Sequence, residues 1–518
     1  MSQTPVKLFS FPSQPTWSPG NTVSKISSFQ TGLVYVQGTE LLYSDGTQAG
    51  TKVLRDFGAE ANSITNFYEL ASTLYFTSQY GTSLVLWQTD GTDAGTTPLD
   101  TLSNGTSSTY INGFTSLGST LYFTASANEQ GAELWKYNGT ECELVADINP
   151  GTPSGVNGIP VAFNNKLYFS GSNTTHGYEL WQSDGTTAGT ILLKDIHTTA
   201  SSSPGNFTVF NTKLYFSANG ASGIELYSTD GTAAGTVLLK DISAGTPSSS
   251  PRSFVIYNSA LHFAAYDGTD FAIWKTTGTS AGTTKVVQLA ARASGYSTSE
   301  FKLCNGSLYF LLSWNYSYSC GFNRTCNSNG KSFKQLAGST LNTVSGSYPG
   351  SFDLSKTVVL NNKLYYVENA SSCWYSSCTY YDYLMEFSGT TGTVLLSFSR
   401  SQYNGTNAIN TKPVVAGGTL FFGASNTVSG GELWTLNTAV SEATVAFERF
   451  TGDMVTSVPN TGELKKLGTK LFTLAARQPG INPHQLWQYD MLAKTSVLVF
   501  DIGAGNSISN LTLINNKF

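Results

Sequence analysis

The sequence predicts an all-β protein, a β-propeller built from about ten four-stranded repeats of ~47 residues that form one large ring or two tandem propellers. Two recurring markers carry this prediction. One is an apolar-aromatic-aromatic triplet, and the other is a Glu-Leu-Trp segment followed by an Asp-Gly-Thr turn. A single repeat cannot bury its own apolar faces, so the repeats are expected to stack against one another.

The triplet sets the repeat length. Its leucine recurs at steps of 46 or 47 residues through six copies and at wider steps in three later, degenerate copies. The regular copies begin at Leu74, Leu121, Leu167, Leu214, Leu261 and Leu308, the degenerate ones at Leu364, Leu420 and Leu471, and an early copy at Leu33. This spacing matches one propeller blade per repeat.

Each repeat is expected to hold four short antiparallel strands. In the copy that spans residues 207–242 they are 207–210, 214–217, 225–228 and 237–240, with Asn, Asp and Gly at the turns. Runs such as Leu-Tyr-Phe lack polar alternation, which indicates that both faces of each sheet are buried between blades.

The repeats divide the chain into four predicted parts. These are an N-terminal segment with an unpaired outer strand (1–25), the regular repeats (26–300), degenerate repeats with Cys-bearing insertions (301–504), and a C-terminal strand for closure or assembly (505–518). A single ring and two propellers that divide near residue 300 both fit this pattern.

Composition narrows the class of partner. Charged residues make up 12% of the chain, its net charge is -5, and no basic patch is visible, so nucleic acid is not expected as a partner. The sequence has no apolar run of about 18 residues, so it predicts no membrane-spanning helix. Residues 1–5 lack the features of a signal peptide, although a surface rich in Ser, Thr, Asn and Gly is typical of extracellular or cell-surface proteins.

The six cysteines favour an extracellular location. Four of them form two close pairs within the insertions, Cys320 with Cys326 and Cys373 with Cys378. We predict that each pair forms a disulfide that pins its loop, because such bonds are typical of secreted proteins. Free thiols are the alternative, and zinc is disfavoured because the spacing is not Cys-x2-Cys.

Glycosylation is the second feature that an extracellular location would allow. The chain contains ten Asn-x-Ser/Thr sequons, about as many as its Asn, Ser and Thr content gives by chance. The candidates are Asn104, Asn138, Asn173, Asn206, Asn305, Asn315, Asn323, Asn369, Asn404 and Asn510.

The repeated motifs have structural explanations. In the Asp-Gly-Thr turns at Asp45, Asp90, Asp184 and Asp230, the Asp is expected to accept backbone hydrogen bonds and the Gly to supply a positive φ. A calcium loop would need more carboxylates than one per turn. The recurrent Trp is expected to pack between blades, with a sugar-stacking platform as the alternative.

The sequence predicts no catalytic, cofactor-binding or metal-binding residue, and no cofactor. Its four His stand in unrelated contexts, and the sequence holds no nucleophile elbow, zinc-protease helix or phosphate loop. A propeller glycoside hydrolase stays open as an alternative, because its two carboxylates need not be close in the chain.

Residues 179–190 and 225–236 resemble the Glu-Leu-Trp-x-x-Asp-Gly-Thr-x-x-Gly-Thr repeat of bacterial secreted and surface proteins, sometimes called hyalin-like. The resemblance is close in these two copies, partial in units one, two, three and six, and faint afterwards. It implies a propeller-like fold in an extracellular or surface setting, and it brings no catalytic residues.

The two ends of the sequence resemble incomplete blades. Residues 6–11 are similar to the fourth strand of a repeat, and residues 510–518 to the first strand and turn of another. Open sheet edges demand partners, so the ends either fasten the ring within one molecule or dock head to tail between copies. A piece of a longer protein would show the same pattern. The residues assigned to assembly are Val6, Leu8, Phe9, Phe11, Leu511, Leu513, Ile514 and Phe518.

The sequence therefore predicts a non-enzymatic extracellular structural protein, a surface or fibre subunit that binds copies of itself through terminal strands and insertion loops. The first alternative is a lectin or adhesin that binds glycans with exposed aromatic residues, such as Trp314 with Tyr316 or Trp374 with Tyr375. The second alternative is the glycoside hydrolase.

Overall fold

The computed structural model divides the chain into two compact units, residues 1–443 (unit 1) and 444–518 (unit 2). The described residues are 6–7, 23–46, 50–58, 61–103, 109–291, 295–319, 325–344, 351–374, 377–387, 392–400, 409, 411–426, 430–437, 464–467, 470–475, 485–490 and 495–501. Every regular element among them is a β-strand, which confirms the all-β class. No helix long and apolar enough to cross a membrane occurs in these ranges.

Six four-stranded antiparallel sheets follow one another in unit 1, each with its strands in chain order. The first strand of the chain, β1 (Val6–Lys7), belongs to a later sheet. Blade 1 contains β2 (Val23–Phe29), β3 (Gly32–Gln37), β4 (Glu40–Ser44) and β5 (Lys52–Asp56); blade 2 contains β6 (Ala61–Leu70), β7 (Thr73–Tyr80), β8 (Ser83–Thr89) and β9 (Thr97–Leu102); blade 3 contains β10 (Tyr110–Leu117), β11 (Thr120–Ser126), β12 (Ala132–Tyr137) and β13 (Cys142–Ala146). Blade 4 contains β14 (Val156–Phe163), β15 (Lys166–Gly171), β16 (Glu179–Ser183) and β17 (Ile191–Lys194); blade 5 contains β18 (Gly205–Phe210), β19 (Lys213–Gly220), β20 (Gly223–Thr229) and β21 (Val237–Lys240); blade 6 contains β22 (Arg252–Tyr257), β23 (Ala260–Tyr266), β24 (Phe271–Thr276) and β25 (Thr284–Ala290).

Three further sheets complete unit 1. The seventh has five strands, which are β26 (Tyr296–Thr298), β27 (Lys302–Cys304), β28 (Ser307–Ser319), β29 (Thr325–Ala337) and β30 (Thr340–Thr343). Blade 8 contains β31 (Ser351–Leu360), β32 (Lys363–Trp374), β33 (Ser377–Phe387) and β34 (Gly392–Arg400), and blade 9 contains β35 (Val414–Ala416), β36 (Thr419–Asn426), β37 (Gly430–Asn437) and β1.

Unit 2 contains one four-stranded antiparallel sheet among its described residues. Its strands are β38 (Leu464–Leu467), β39 (Lys470–Ala475), β40 (Gln485–Asp490) and β41 (Thr495–Asp501). This sheet has the same strand order as blades 1 to 6, so it is a tenth copy of the repeat.

The nine sheets of unit 1 form a closed propeller. Nine clusters of buried apolar side chains lie at the nine junctions, and each cluster draws members from two successive sheets. The closing junction joins Val23, Leu33 and Tyr35 of blade 1 to Ala416 and Phe421 of blade 9. An open row of nine sheets would have one junction fewer, so this last cluster establishes the ring.

The N-terminal strand contributes to closure. β1 is the fourth strand of blade 9, where Val6 pairs with Thr435 and Lys7 with Trp434. The prediction that residues 6–11 resemble a fourth strand is thus confirmed at Val6 and Lys7. The sequence left open whether each end pairs within one molecule or between copies. The N-terminal strand pairs within the chain.

Two expectations, the number of blades in the ring and the place where the chain divides, are corrected. The described residues of unit 1 form eight four-stranded blades and one five-stranded sheet, rather than ten four-stranded repeats in a ring. The chain also does not divide near residue 300, because one apolar cluster joins Tyr257 and Phe271 of blade 6 to Phe301 and Phe310 of the next sheet.

The Leu-Tyr-Phe triplet shows why the strands lack polar alternation. Leu167 and Phe169 are buried against blade 3, while Tyr168 between them is buried against blade 5. Alternate side chains of one strand point to opposite faces, so each triplet fills both junctions of its blade. In the copy at 207–242 the predicted strands match β18 to β21.

Candidate functional site

The Asp-Gly-Thr turn is a self-contained hydrogen-bonded unit. Asp184 Oδ1 accepts hydrogen bonds from Thr186 N at 2.9 Å and from Thr186 Oγ1 at 2.7 Å, and Gly185 has a φ of 90°. A Cβ at Gly189 would collide with the Asp184 carboxylate. These hydrogen bonds hold the pKa of Asp184 below its usual value. The turn at Asp90 and the one at Asp230 have the same bonds, so the structural interpretation of the motif is confirmed.

The glycine of this turn also makes room for the preceding blade. A Cβ at Gly231 of blade 5 would lie 2.7 Å from the hydroxyl of Tyr168 in blade 4. A Cβ at Gly278 of blade 6 would lie 2.9 Å from the hydroxyl of Tyr215 in blade 5. The two sequence markers therefore meet at each of these junctions, the aromatic triplet of one blade against the turn of the next.

In blades 3, 4 and 5 a buried carboxylate binds the connection that leads to the next blade. Glu133 is fully buried, with Oε2 accepting from Ile148 N at 2.9 Å and Oε1 from Gly155 N at 2.7 Å. Both donors lie in the connection from β13 to β14. The equivalent carboxylates are Glu179, bound by Ile196 N and Ser202 N, and Glu225, bound by Ile242 N and Ser249 N. In blade 8 the carboxylate of Asp382, one strand position earlier, accepts from Ile409 N of the following connection. We call these four side chains the connector clamps.

Two of the connector clamps, Glu179 and Glu225, belong to the Glu-Leu-Trp motif of the sequence analysis, which predicted no role for them. The sequence feature that could have indicated this role is a charged residue at a fixed place in an otherwise apolar strand. Burial raises the pKa of Glu133 to about 7, against the hydrogen bonds from Ile148 and Gly155, which lower it. Burial also raises the pKa of Glu225.

The recurrent Trp is confirmed as a packing residue in the regular blades. Trp87, Trp135, Trp181 and Trp274 are all buried, and each belongs to an apolar cluster between two blades. The repeated residues are thus used for packing and hydrogen bonding within the ring. A site for another molecule has to come from residues that do not repeat.

The five-stranded sheet is where the repeat is broken. Its strands β28 and β29 have 13 residues each, whereas the strands of blade 5 have four to eight. A depression of about 370 Å³ lies on this extended hairpin beside β26. We call it the Trp314 depression, and it is lined by Gly295, Ser297, Ser313, Trp314, Asn315, Gly330 and Lys331.

Trp314 is held in place from both neighbouring strands. It lies opposite Tyr296 on β26 and opposite Gly330 on β29. A Cβ at Gly330 would collide with the indole, so the bare glycine backbone is what lets the ring lie against β29. Arg252 of blade 6 holds β26, because its Nη2 donates to Tyr296 O at 2.9 Å.

The polar lining of the depression is mostly neutral. Ser297, Ser313 and Asn315 offer hydroxyl and amide groups, and Lys331 adds one exposed ammonium group. No carboxylate is among the seven lining residues that the structure describes. These polar groups can bind hydroxyl-rich ligands, and among the seven described lining residues the pair of acids that glycoside hydrolysis uses is absent.

The predicted disulfides remain predictions. The backbone places Cys373 directly opposite Cys378 on β32 and β33. Cys326 lies on β29, and Cys320 is outside the described residues. Within the part of the chain whose side chains are described, Cys142 and Cys304 are free thiols.

The assembly residues are only partly placed. Val6 is paired within the chain. Leu8, Phe9, Phe11, Leu511, Leu513, Ile514 and Phe518 lie outside the described residues. Of the aromatic pairs named for sugar binding, the structure brings Trp314 to a depression and leaves Trp374 on β32 without a described side chain.

The described sequons differ in the hydrogen bonds and exposure of the asparagine side chain. Asn206 Nδ2 donates to Ser217 Oγ at 3.0 Å and to Pro251 O of the next blade at 3.4 Å. Asn138 and Asn173 use Oδ1 to accept backbone N–H groups within their own turns. Asn305 and Asn315 are exposed. Asn369 lies on β32, and Asn104, Asn323, Asn404 and Asn510 lie outside the described residues.

Comparison with known proteins finds similarity among solved structures alone. No family model and no curated protein matches the chain. Among solved structures, a chain from a structural and mechanistic analysis of two prolyl endopeptidases is similar at 13% identity and a TM-score of 0.37, over 70% of this chain and 55% of that one. The tricorn protease is similar at 9% identity and a TM-score of 0.24, over 93% of this chain and 58% of its own. The chain spans just over half the length of these proteins.

Proposed function

We propose that this protein is a non-enzymatic, extracellular carbohydrate-binding propeller, and that its sugar site is the Trp314 depression. The observation that carries the proposal is the half-buried Trp314 indole, which lies against Gly330 on one face of the extended hairpin. A sugar ring has an apolar face and a rim of hydroxyl groups. The fixed indole offers a stacking surface for the apolar face.

Rigidity supports the proposal. The indole lies against the backbone at Gly330, and the Asn315 backbone N–H donates to Gly295 O at 2.7 Å, which fixes β28 against the chain that enters β26. Groups that are held before the ligand arrives lose less conformational entropy on binding. The depression is also within the size range of small-molecule sites.

The lining favours binding over hydrolysis. Glycoside hydrolysis uses two carboxyl groups that flank the scissile bond. The seven residues around the depression contribute one ammonium group and neutral polar groups. A sugar bound there would be held and released unchanged.

A glycan array followed by calorimetric titration tests the proposal. The wild-type chain should show saturable binding, and Trp314→Ala should weaken it by about ten-fold or more, which corresponds to about 1.4 kcal/mol. Tyr110→Ala is the matched control, because Tyr110 is an aromatic residue that is 48% exposed in blade 3, outside the depression. Saturable binding that survives Trp314→Ala unchanged would refute the assignment of the site.

Head-to-tail assembly is a second candidate. It rests on the similarity of residues 510–518 to the first strand and turn of a repeat, since β1 is already paired with β37 within the chain. Light scattering over a range of concentrations, on the full chain and on a chain without residues 505–518, tests it. Assembly that depends on the C-terminal segment supports the candidate, and a monomer at all concentrations excludes it.

A further inference from the structure

We propose that the face of the five-stranded sheet opposite the Trp314 indole binds the anionic group of an acidic carbohydrate, a sulfate ester or a carboxylate. The residues that carry this inference are Ser297, Ser313 and Lys331, all of which line the depression. The inference goes beyond the proposed function, because it does not depend on stacking against Trp314.

The register of the extended hairpin assigns each residue to a face. Leu311 of β28 and Phe333 of β29 lie directly opposite each other, and both belong to the apolar cluster shared with blade 8. The pairing of β28 with β29 continues without a bulge, and alternate residues of a strand point to the same face. Ser313 and Lys331, each two positions from this pair, therefore face the blade 8 side, whereas Trp314 faces the other way.

Three polar side chains form a row across this face. Ser297 of β26 is directly opposite Ser313, and Ser313 is directly opposite Lys331. Neighbouring strands lie about 4.8 Å apart, so the row spans roughly 10 Å and places two hydroxyl groups beside one ammonium group. We call these three residues the anion row. Asn315, two positions along β28 from Ser313, adds an exposed amide to the same face.

The charge of the anion row is not balanced from within the chain. Among the described residues Lys331 forms no ion pair, and the seven residues that line the depression include no carboxylate. Other described lysines are paired within their own sheets, as Lys136 is with Glu143 and Lys363 with Glu386. The ammonium group of Lys331 is therefore open to an anion from outside the chain.

A sulfate ester or a carboxylate matches this set of donors. Each group carries a negative charge and several acceptor oxygen atoms, so it can accept from the ammonium group and from the serine hydroxyl groups at once. Hydrogen bonds between oppositely charged groups are roughly twice as strong as neutral ones. The neutral groups beside Lys331 suit the hydroxyl groups of the sugar that carries the anion.

Saturation-transfer NMR with three sugars tests the inference, because this method detects weak binding. The probes are glucose 6-sulfate, glucuronate and glucose, which share one type of ring and differ in the anionic group. Lys331→Gln removes the charge of the anion row, and Ser313→Ala removes one hydroxyl group. Lys25→Gln is the matched control, since Lys25 is an exposed lysine of blade 1. Circular dichroism checks that each variant is folded.

We expect the wild-type chain to bind at least one of the anionic sugars about ten-fold more tightly than glucose, and Lys331→Gln to abolish this preference. Ser313→Ala should weaken the binding of that sugar by about three-fold, and Lys25→Gln should leave it unchanged. The anion that binds more tightly identifies the group that the row accepts. A wild-type chain with no preference for either anion, or a preference that survives Lys331→Gln, overturns the inference.

Trp314→Ala separates this inference from the proposed function. The variant should keep the preference for the anionic sugar, because the indole lies on the opposite face of the sheet. A preference that is lost with Trp314→Ala would overturn the inference. If no glycan binds through Trp314 while an anionic sugar binds through Lys331, the proposed function fails and the anion row stands.

Discussion

The regular blades and the five-stranded sheet are built from the same kind of β-strand but differ in what their polar groups do. In blades 3 to 5 the carboxylate of the repeat is paired inside the ring, as with Glu179, which is fully buried and hydrogen-bonded to the next connection. In the five-stranded sheet the strands extend to 13 residues and carry polar groups at an open depression. The comparison teaches that repetition serves stability here, and that binding is expected where the repeat is broken.

The largest expected effect is the loss of a connector clamp. Glu179→Ala leaves the buried N–H groups of Ile196 and Ser202 without their acceptor. Each unpaired buried group costs about 1–3 kcal/mol, so the free energy of unfolding should fall by about 4 kcal/mol. Urea denaturation followed by tryptophan fluorescence measures this loss.

Glu141→Ala is the control for this change, because Glu141 is exposed at the tip of the hairpin in blade 3. Its effect should stay within about 0.5 kcal/mol, the usual range for surface substitutions. Equal stability of Glu179→Ala and Glu141→Ala would show that the clamps do not hold the blades together. Sugar binding by the folded fraction should be unchanged in both variants.

The second effect is a pH dependence at Glu133. Its pKa is raised by burial from 4.5 to about 7, so the folded chain holds this proton more tightly than the unfolded chain. The resulting stability is fully present below pH 4.5 and is lost as the pH rises through about 7. Over this window the shift corresponds to about 3 kcal/mol.

Glu133→Gln isolates this contribution, because glutamine cannot ionise. The difference in unfolding free energy between wild type and Glu133→Gln should move by about 3 kcal/mol in favour of the variant between pH 4.5 and about pH 8. Glutamine also offers one acceptor instead of two, so the variant should be less stable at pH 4.5, by about 1–3 kcal/mol. A difference that is constant with pH would contradict the assignment to Glu133.

Much of the fold could be predicted from residues that repeat. The spacing of the Leu-Tyr-Phe triplets gives the blade length, and residues 237–240 were predicted as a strand and form β21. The number of blades in the ring could not be predicted, because closure depends on the angle between blades, which sequence spacing does not encode.

The site could be predicted less well. Trp314 was named as an exposed aromatic residue, but its partners were not, because Tyr296 and Gly330 are distant in sequence and flank it only through the pairing of β26, β28 and β29. The role of Glu133 was also missed. A buried carboxylate is explained only by the backbone N–H groups that bind it, and these belong to a connection some 15 to 22 residues further along the chain.

The smallest effect on stability, and the sharpest test of the comparison, is expected at Gly330. Gly330→Ala places a methyl group against the Trp314 indole and must displace it, since a Cβ there collides with the ring. Gly330 is on the extended part of β29 and is only half-buried, so the unfolding free energy should change by less than about 1 kcal/mol. Sugar affinity should fall by about ten-fold, because a displaced aromatic surface no longer matches the ligand. Ser332→Ala, two residues along the same strand, should leave both quantities unchanged. A Gly330→Ala variant that loses stability but keeps its affinity would mean that the extended hairpin serves the ring as the regular blades do, and the contrast between the two regions would disappear.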